Sequence, residues 1–198
     1  TTDTELDGFM SYESYINELQ PSTKYFLRAY ATNSTGTKYG EEVVFKTYNS
    51  DAINDPEGNY YNIITLGDQT WMAENLRVTR YRNGDPIAVV TAAAPWVGLT
   101  NGAYCNYENG ESDVAAYGRL YNWHAVNDAR RIAPAGWHVP TDGEWKQLET
   151  FLGMSRTQAD ATGWRGTREG DKLKETGAAH WRGPNAGATN EGGFAARP

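Results

Sequence analysis

Hydrophobic and polar positions change their rhythm twice along this chain. In Tyr25-Phe26-Leu27-Arg28-Ala29-Tyr30-Ala31, the residues Tyr25, Leu27, Ala29 and Ala31 fall on one side and Phe26, Arg28 and Tyr30 on the other. A period of two predicts a β-strand with a mixed outer face. Residues 42–47 repeat the pattern, with Val43 and Phe45 opposite Val44 and Lys46, and Asn33-Ser34-Thr35-Gly36-Thr37 predicts the turn between them. Residues 12–19 fit a further short strand, with Pro21-Ser22-Thr23 turning the chain after it. Residues 60–66 and 69–72 predict a hairpin through Gly67-Asp68, and Asn83-Gly84-Asp85-Pro86 is a strong turn signal.

Helical periodicity is confined to two places. Leu120, Trp123 and Val126 predict a helix over 119–127. Trp145, Leu148, Phe151 and Leu152 predict a second over 141–152, with Thr141 and Glu144 as a capping box and Gly153 as its stop. Residues 91–95 read as loop, and 155–198 are Gly-rich with scattered Trp and no long periodic segment. The expected fold class is α+β, dominated by strands and loops.

Composition narrows the function classes. A length of 198 residues allows one or two domains, and 7 Trp and 13 Tyr supply large groups for cores or contact surfaces. The net charge of −7 argues against a nucleic-acid surface, which needs clustered Lys and Arg. No apolar run approaches the ~20 residues that span a bilayer. Cys105 is the sole cysteine, so no intrachain disulfide forms.

Two resemblances organise the chain. Leu19-x-Pro21-x-Thr23-x-Tyr25, Arg28-Ala29-Tyr30-Ala31-x-Asn33, Gly36 and Gly40 resemble the end of a fibronectin type III-like domain, with Tyr25 at the tyrosine corner. Such a sandwich needs roughly seven strands and about three fit before residue 48. Residues 1–47 are therefore expected not to close a sandwich alone. Their partner surface is expected from upstream residues, from the rest of the chain or from a neighbouring subunit by strand addition.

The second resemblance rests on Gly67-x-Gln69-x-Trp71-Met72-Ala73-Glu74-Asn75-Leu76, Tyr81-Arg82-Asn83-Gly84-Asp85-Pro86-Ile87 and Tyr117-Gly118-Arg119-Leu120-Tyr121-Asn122-Trp123. It continues through Ala133-Pro134-Ala135-Gly136-Trp137-His138-Val139-Pro140-Thr141-Asp142 and Ala188-Thr189-Asn190-Glu191-x-Gly193-Phe194. These blocks resemble the Fibrobacter succinogenes major paralogous domain family, found in surface and secreted proteins of Bacteroidota and their relatives. The resemblance implies a C-type lectin and formylglycine-generating-enzyme-like fold with two helices flanking a small sheet. It also implies that the domain is cut before its central strands. The expected organisation is a partial fibronectin-like segment over 1–47, a linker over 48–54 and an incomplete C-type lectin-like domain over 55–198.

Candidate chemistry is sparse. Gly183-Pro184-Asn185 is the nearest match to a lectin calcium triplet and lacks the acidic or amide residue before Pro184, so a turn is expected there. The oxidase chemistry of the related fold uses paired cysteines, which Cys105 alone does not provide. His124, His138 and His180 each neighbour a Trp and carry no zinc spacing, so each imidazole is expected to bond a backbone group beside a buried indole. Asp142 and Glu144 suit helix capping better than glycoside cleavage. Asn33-Ser34-Thr35 matches a glycosylation sequon and reads as a turn.

Neither catalytic residues, nor a metal, nor a cofactor is expected. The candidate ligand-binding residues are Trp96, Trp164 and Trp181, in Gly- or Pro-containing loops where an indole can stack on a sugar or anchor a protein. Trp71, Trp123, Trp137 and Trp145 are expected to be structural. The leading expectation is a non-enzymatic bacterial surface or secreted protein, acting in adhesion or an extracellular assembly. The alternative is a carbohydrate-binding module, and an enzyme on the same fold stands behind both.

Overall fold

A computed structural model describes residues 14–48 and 50–198. The chain divides into two compact units between Ser50 and Asp51.

In the first unit, β1 (Lys24–Asn33) and β2 (Gly36–Lys46) form an antiparallel hairpin. Its turn is built by Asn33, whose Oδ1 accepts from the Thr35 amide at 2.8 Å and the Thr35 hydroxyl at 2.6 Å. Gly36 then takes φ +131°, where a side chain is disfavoured. The register shifts between Arg28 and Tyr30, an irregularity in the ladder. At the open end Tyr25 stacks on Phe45 at 5.7 Å, and its hydroxyl accepts from the Gln20 amide at 2.8 Å. Phe26, Tyr30 and Val43 remain more than half exposed. Among the described residues of this unit there are two strands and no buried core. The expected strand over 12–19 is not formed from residue 14 onward, and residues 12 and 13 lie outside the described residues.

The second unit is mixed α+β, with small sheets and few helices. β3 (Ile53–Asn54) pairs with β4 (Tyr60–Tyr61), so strand structure begins inside the stretch expected to be linker. The intervening turn is organised by Asp55. Its buried carboxylate accepts from the amides of Glu57 and Asn59, the Asn59 side chain and the Tyr61 hydroxyl. β5 (Ile63–Leu66) and β6 (Gln69–Met72) form the expected hairpin, with Gly67 at φ +61°. β7 (Ala88–Val89) runs parallel to β8 (Ala103–Asn106), which pairs antiparallel with β9 (Arg119–Tyr121).

The unit also has five short α-helices, α1 (Ala93–Val97), α2 (Val114–Tyr117), α3 (Trp123–Val126), α4 (Asp142–Phe151) and α5 (Arg156–Ala159), and two single 3-10 turns, Tyr107–Asn109 and Glu169–Lys172. α4 is the longest, and its capping box forms as the sequence predicts: Glu144 N donates to Thr141 Oγ1 and Thr141 N donates to Glu144 Oε2. Gly153 follows its last turn at φ +116°.

The helix expected over 119–127 is a correction. Residues 119–121 form β9, and only the single turn Trp123–Val126 is helical. Tyr121 pairs with Tyr104, and Arg119 lies over the Tyr104 ring while it bridges to Glu111 at 2.8 Å. The buried partners alternate and Leu120 faces outward, which is strand logic. Residues 93–97, partly expected as loop, form α1 instead.

Two apolar clusters hold the unit. One gathers Val78, Tyr81, Ile87, Tyr104, Ala125 and Ile132. The other packs Leu148 of α4 and Leu152 at its C-cap onto Leu66 and Trp71 of the β5–β6 hairpin. Of the four apolar positions of α4 and its C-cap, Leu148 and Leu152 are buried, whereas Trp145 and Phe151 are 41% and 55% exposed. Burial therefore follows the i, i+4 pair that faces the hairpin.

Candidate functional site

The space beside α4 and the β5–β6 hairpin is a cleft of about 790 Å³. Three loops and strands build it. β6 supplies Gln69 to Met72 along one wall. β9 presents Leu120, 53% exposed, from the strand face opposite the one that seats Arg119 and Tyr121. The loop 133–140 supplies Trp137, His138 and Val139. That loop is pinned by Arg82, whose guanidinium donates to the carbonyls of Ala133, Pro134 and Trp137, each at 2.7 Å from Nη2.

The floor is aromatic. Trp71 lies 4.9 Å from Trp145 and 6.1 Å from Phe194, centroid to centroid. Trp71 itself is 7% exposed, and its indole Nε1 is buried without a hydrogen-bond partner. Gln69 Oε1 is in the same condition, although its Nε2 donates to the Glu144 carbonyl at 3.1 Å. The charged groups at the cleft are largely engaged. Glu74 accepts from the backbone and side-chain amides of Asn62 at 2.6 Å each, and Arg119 is held by Glu111 and Asn106. Glu144 sits 2.7 Å from His138 Nε2 while it caps α4, and these contacts, the Thr141 backbone foremost, hold its carboxyl below the usual range.

A second depression, of about 520 Å³, lies by α3. Trp123, 67% exposed, overlooks it, and Asn101, His124, Asn127 and Asp128 line it. Asp128 is locked to Arg130, whose guanidinium holds that carboxyl well below the usual range.

The residues singled out from sequence are dispersed. Trp96 is half-buried in α1, Trp164 is fully exposed, and Trp181 is half-buried with Nε1 donating to the Ala196 carbonyl at 2.8 Å. None of these three lines either depression. Among the tryptophans expected to be structural, Trp145 packs on Trp71 while 41% exposed, and Trp123 is 67% exposed. Spacing within a motif reveals that a Trp is placed, but not which face is covered.

The histidines are a further correction. His138 pairs with Glu144, and His180 Nδ1 with Glu175 at 2.7 Å, so carboxylates rather than backbone groups hold both. Among the described residues, no group of three or more His, Cys, Asp or Glu is placed to hold a metal ion. Asn185 donates to the carbonyls of Glu175 and Gly177, at 2.8 and 2.7 Å, which makes it a strut of its loop. Asp142 bridges to Lys146 at 2.9 Å. Cys105 is a free thiol that burial pushes up in pKa. Among the described residues, no helix is long and apolar enough to cross a membrane.

Small sheets joined by pinned loops around an aromatic cleft define the second unit as a loop-rich α+β domain. The chain belongs to the Fibrobacter succinogenes major domain family, whose model matches residues 64–198. No curated protein and no solved structure matches it.

Proposed function

We propose that residues 51–198 form a non-enzymatic recognition module of a bacterial surface or secreted protein, used in adhesion or in an extracellular assembly. The observation that carries this reading is the aromatic cleft between β6, β9 and the loop 133–140. Its apolar side chains are open to a partner, as Leu120 and Trp145 illustrate, while Glu74 and Glu144 are already bonded within the fold. A cleft that is apolar at its floor and has few free ionised groups suits binding better than proton transfer. An open apolar surface of this kind is itself a mark of an interaction site.

The finer fold reading belongs here as well. We read the unit over 51–198 as C-type lectin-like and the β1–β2 hairpin as the end of a fibronectin type III-like domain. The Tyr25 hydroxyl reaching back to the Gln20 amide supports the latter.

Carbohydrate binding is a second reading, favoured by one observation. Trp123 offers an open ring face over a polar depression lined by Asn101, Asn127 and Asp128. Stacking on such a face with amides at its edge suits a sugar ring.

Screening the full chain against a glycan array and a displayed random-peptide library tests both. The proposal expects selective ligands whose binding is lost in Leu120→Lys. Loss in Trp123→Ala alone moves the site to the polar depression. Absence of any selective ligand in either screen overturns the recognition module.

A further inference from the structure

The wall of the cleft formed by β6 has a property that its aromatic floor does not share: it is an open sheet edge. β6 has β5 on one side, and among the described residues no strand on the other. The Ala73 amide donates to the Asn62 carbonyl at 2.8 Å, which marks residues 62 and 73 as a hydrogen-bonded pair. Stepping by two along an antiparallel ladder, Ile64–Trp71 and Leu66–Gln69 are bonded pairs as well. The backbone groups of Thr70 and Met72 therefore point away from β5, toward the side left open. All four residues of β6 line the cleft, as expected when an edge rather than one face of a strand fronts it.

Beside that edge stand the two orphaned polar atoms. Trp71 Nε1 is a buried donor without an acceptor, and Gln69 Oε1 is a buried acceptor without a donor. They lie two residues apart, hence on one face of β6. Buried polar atoms in native proteins nearly always have partners, so each unpaired one asks for an explanation.

We infer that the cleft accepts an extended polypeptide segment of a partner protein, paired through its backbone with Thr70 and Met72 at the outer edge of β6, with alternate apolar side chains against Trp145 and Leu120. This rests on the recognition-module reading and names its ligand class. A saccharide fits less well. The Trp71 ring is covered by Trp145 and Phe194 and so offers a sugar no open face to stack on. The charges at the cleft favour a partner with a basic flank. Asp68, Glu74 and Glu144 stand against Arg119 and His138, and Arg119 is already neutralised by Glu111. A second copy of this chain is disfavoured by its net charge of −7. Strand addition of this kind draws affinity from main-chain bonds and selectivity from alternate side chains.

The test uses the full chain and a fluorescent eight-residue peptide of alternating valine and threonine with lysine at both ends. Two control peptides carry glutamate ends, or N-methyl groups on the amides of the β6-facing register. Saturable binding is expected, weakened about tenfold or more by N-methylation and reduced by the glutamate ends. Thr70→Pro, which removes an edge N–H, should weaken it similarly. The N-methylated peptide gives the same information with an unaltered protein, should that variant fail to fold. Equal binding of the N-methylated peptide, or no binding of the lysine-ended peptide, overturns the inference. So does a concentration-dependent dimer that Thr70→Pro abolishes, because a second copy then holds the edge. If the peptides fail while a glycan binds in a Leu120-dependent manner, strand pairing falls and the recognition module stands. If neither class binds, both fall.

Discussion

Glu144 holds both ends of one small structure: its Oε2 accepts the Thr141 amide at 2.7 Å while its Oε1 lies 2.7 Å from His138 Nε2. The start of α4 and the loop that lines the cleft are thus tied through one carboxylate. Its pKa is lowered from the ordinary 4.5, first by the Thr141 backbone bond, then by the Thr141 hydroxyl and His138. A carboxyl whose folded pKa is depressed contributes stability that is present above its unfolded value and lost as pH falls through the folded one. The stability of the second unit should therefore decline as pH drops below 4.5. Glu144→Gln can still cap but cannot titrate, so chemical denaturation across pH should show a shallower acid decline in that variant.

The capping threonine gives a simpler expectation. Thr141→Ala leaves the Glu144 amide without its side-chain acceptor and should cost ~1 kcal/mol in urea denaturation. Thr141→Ser should retain most of that stability.

These features of α4 are legible in the sequence because they are local. Thr141 and Glu144 are three apart, Gly153 closes the helix, and the β5–β6 hairpin is set by alternation around Gly67-Asp68. The cleft is not legible, because its walls come from β6, β9 and the loop 133–140, brought together by the Arg82 side chain on the Pro134 carbonyl and the Arg119 side chain on the Arg77 carbonyl, each across more than forty residues. The helix expected over 119–127 fails for the same reason. Leu120, Trp123 and Val126 have helical spacing, but the pairing of β9 with β8, Tyr121 opposite Tyr104, outweighs it. The exposure of Trp123 and Trp145 is likewise a tertiary property that motif spacing does not encode.

Gly118 tests the packing beneath β9. It adopts φ +67° and ψ −152°, a region open essentially to glycine alone. A Cβ there would stand 2.5 Å from Asn75 Cβ and 2.8 Å from the Leu76 carbonyl oxygen. Gly118→Ala should therefore destabilise the second unit by ~2 kcal/mol or more, read as a lowered denaturation midpoint.

The buried turn at Asp55 should be more sensitive than its exposed surroundings. Tyr61→Phe removes one of four donors to the carboxylate and should cost ~1 kcal/mol. Asp55→Ala strands the remaining donors and should cost more, ~2 to 3 kcal/mol. Burial and the Asp55 contact push the Tyr61 phenol far above its ordinary 10.0. Spectrophotometric titration should show this tyrosine ionising only with unfolding.

The central claim is that the cleft beside α4 is where this domain meets its partner. Hydrogen–deuterium exchange of the full chain, with and without the ligand selected by screening, tests it most directly. The account predicts protection concentrated in residues 69–76 and 137–145, the β6 edge and the loop that ends in the α4 cap. A footprint over residues 122–130, or a bound ligand that protects neither wall of the cleft, would contradict it.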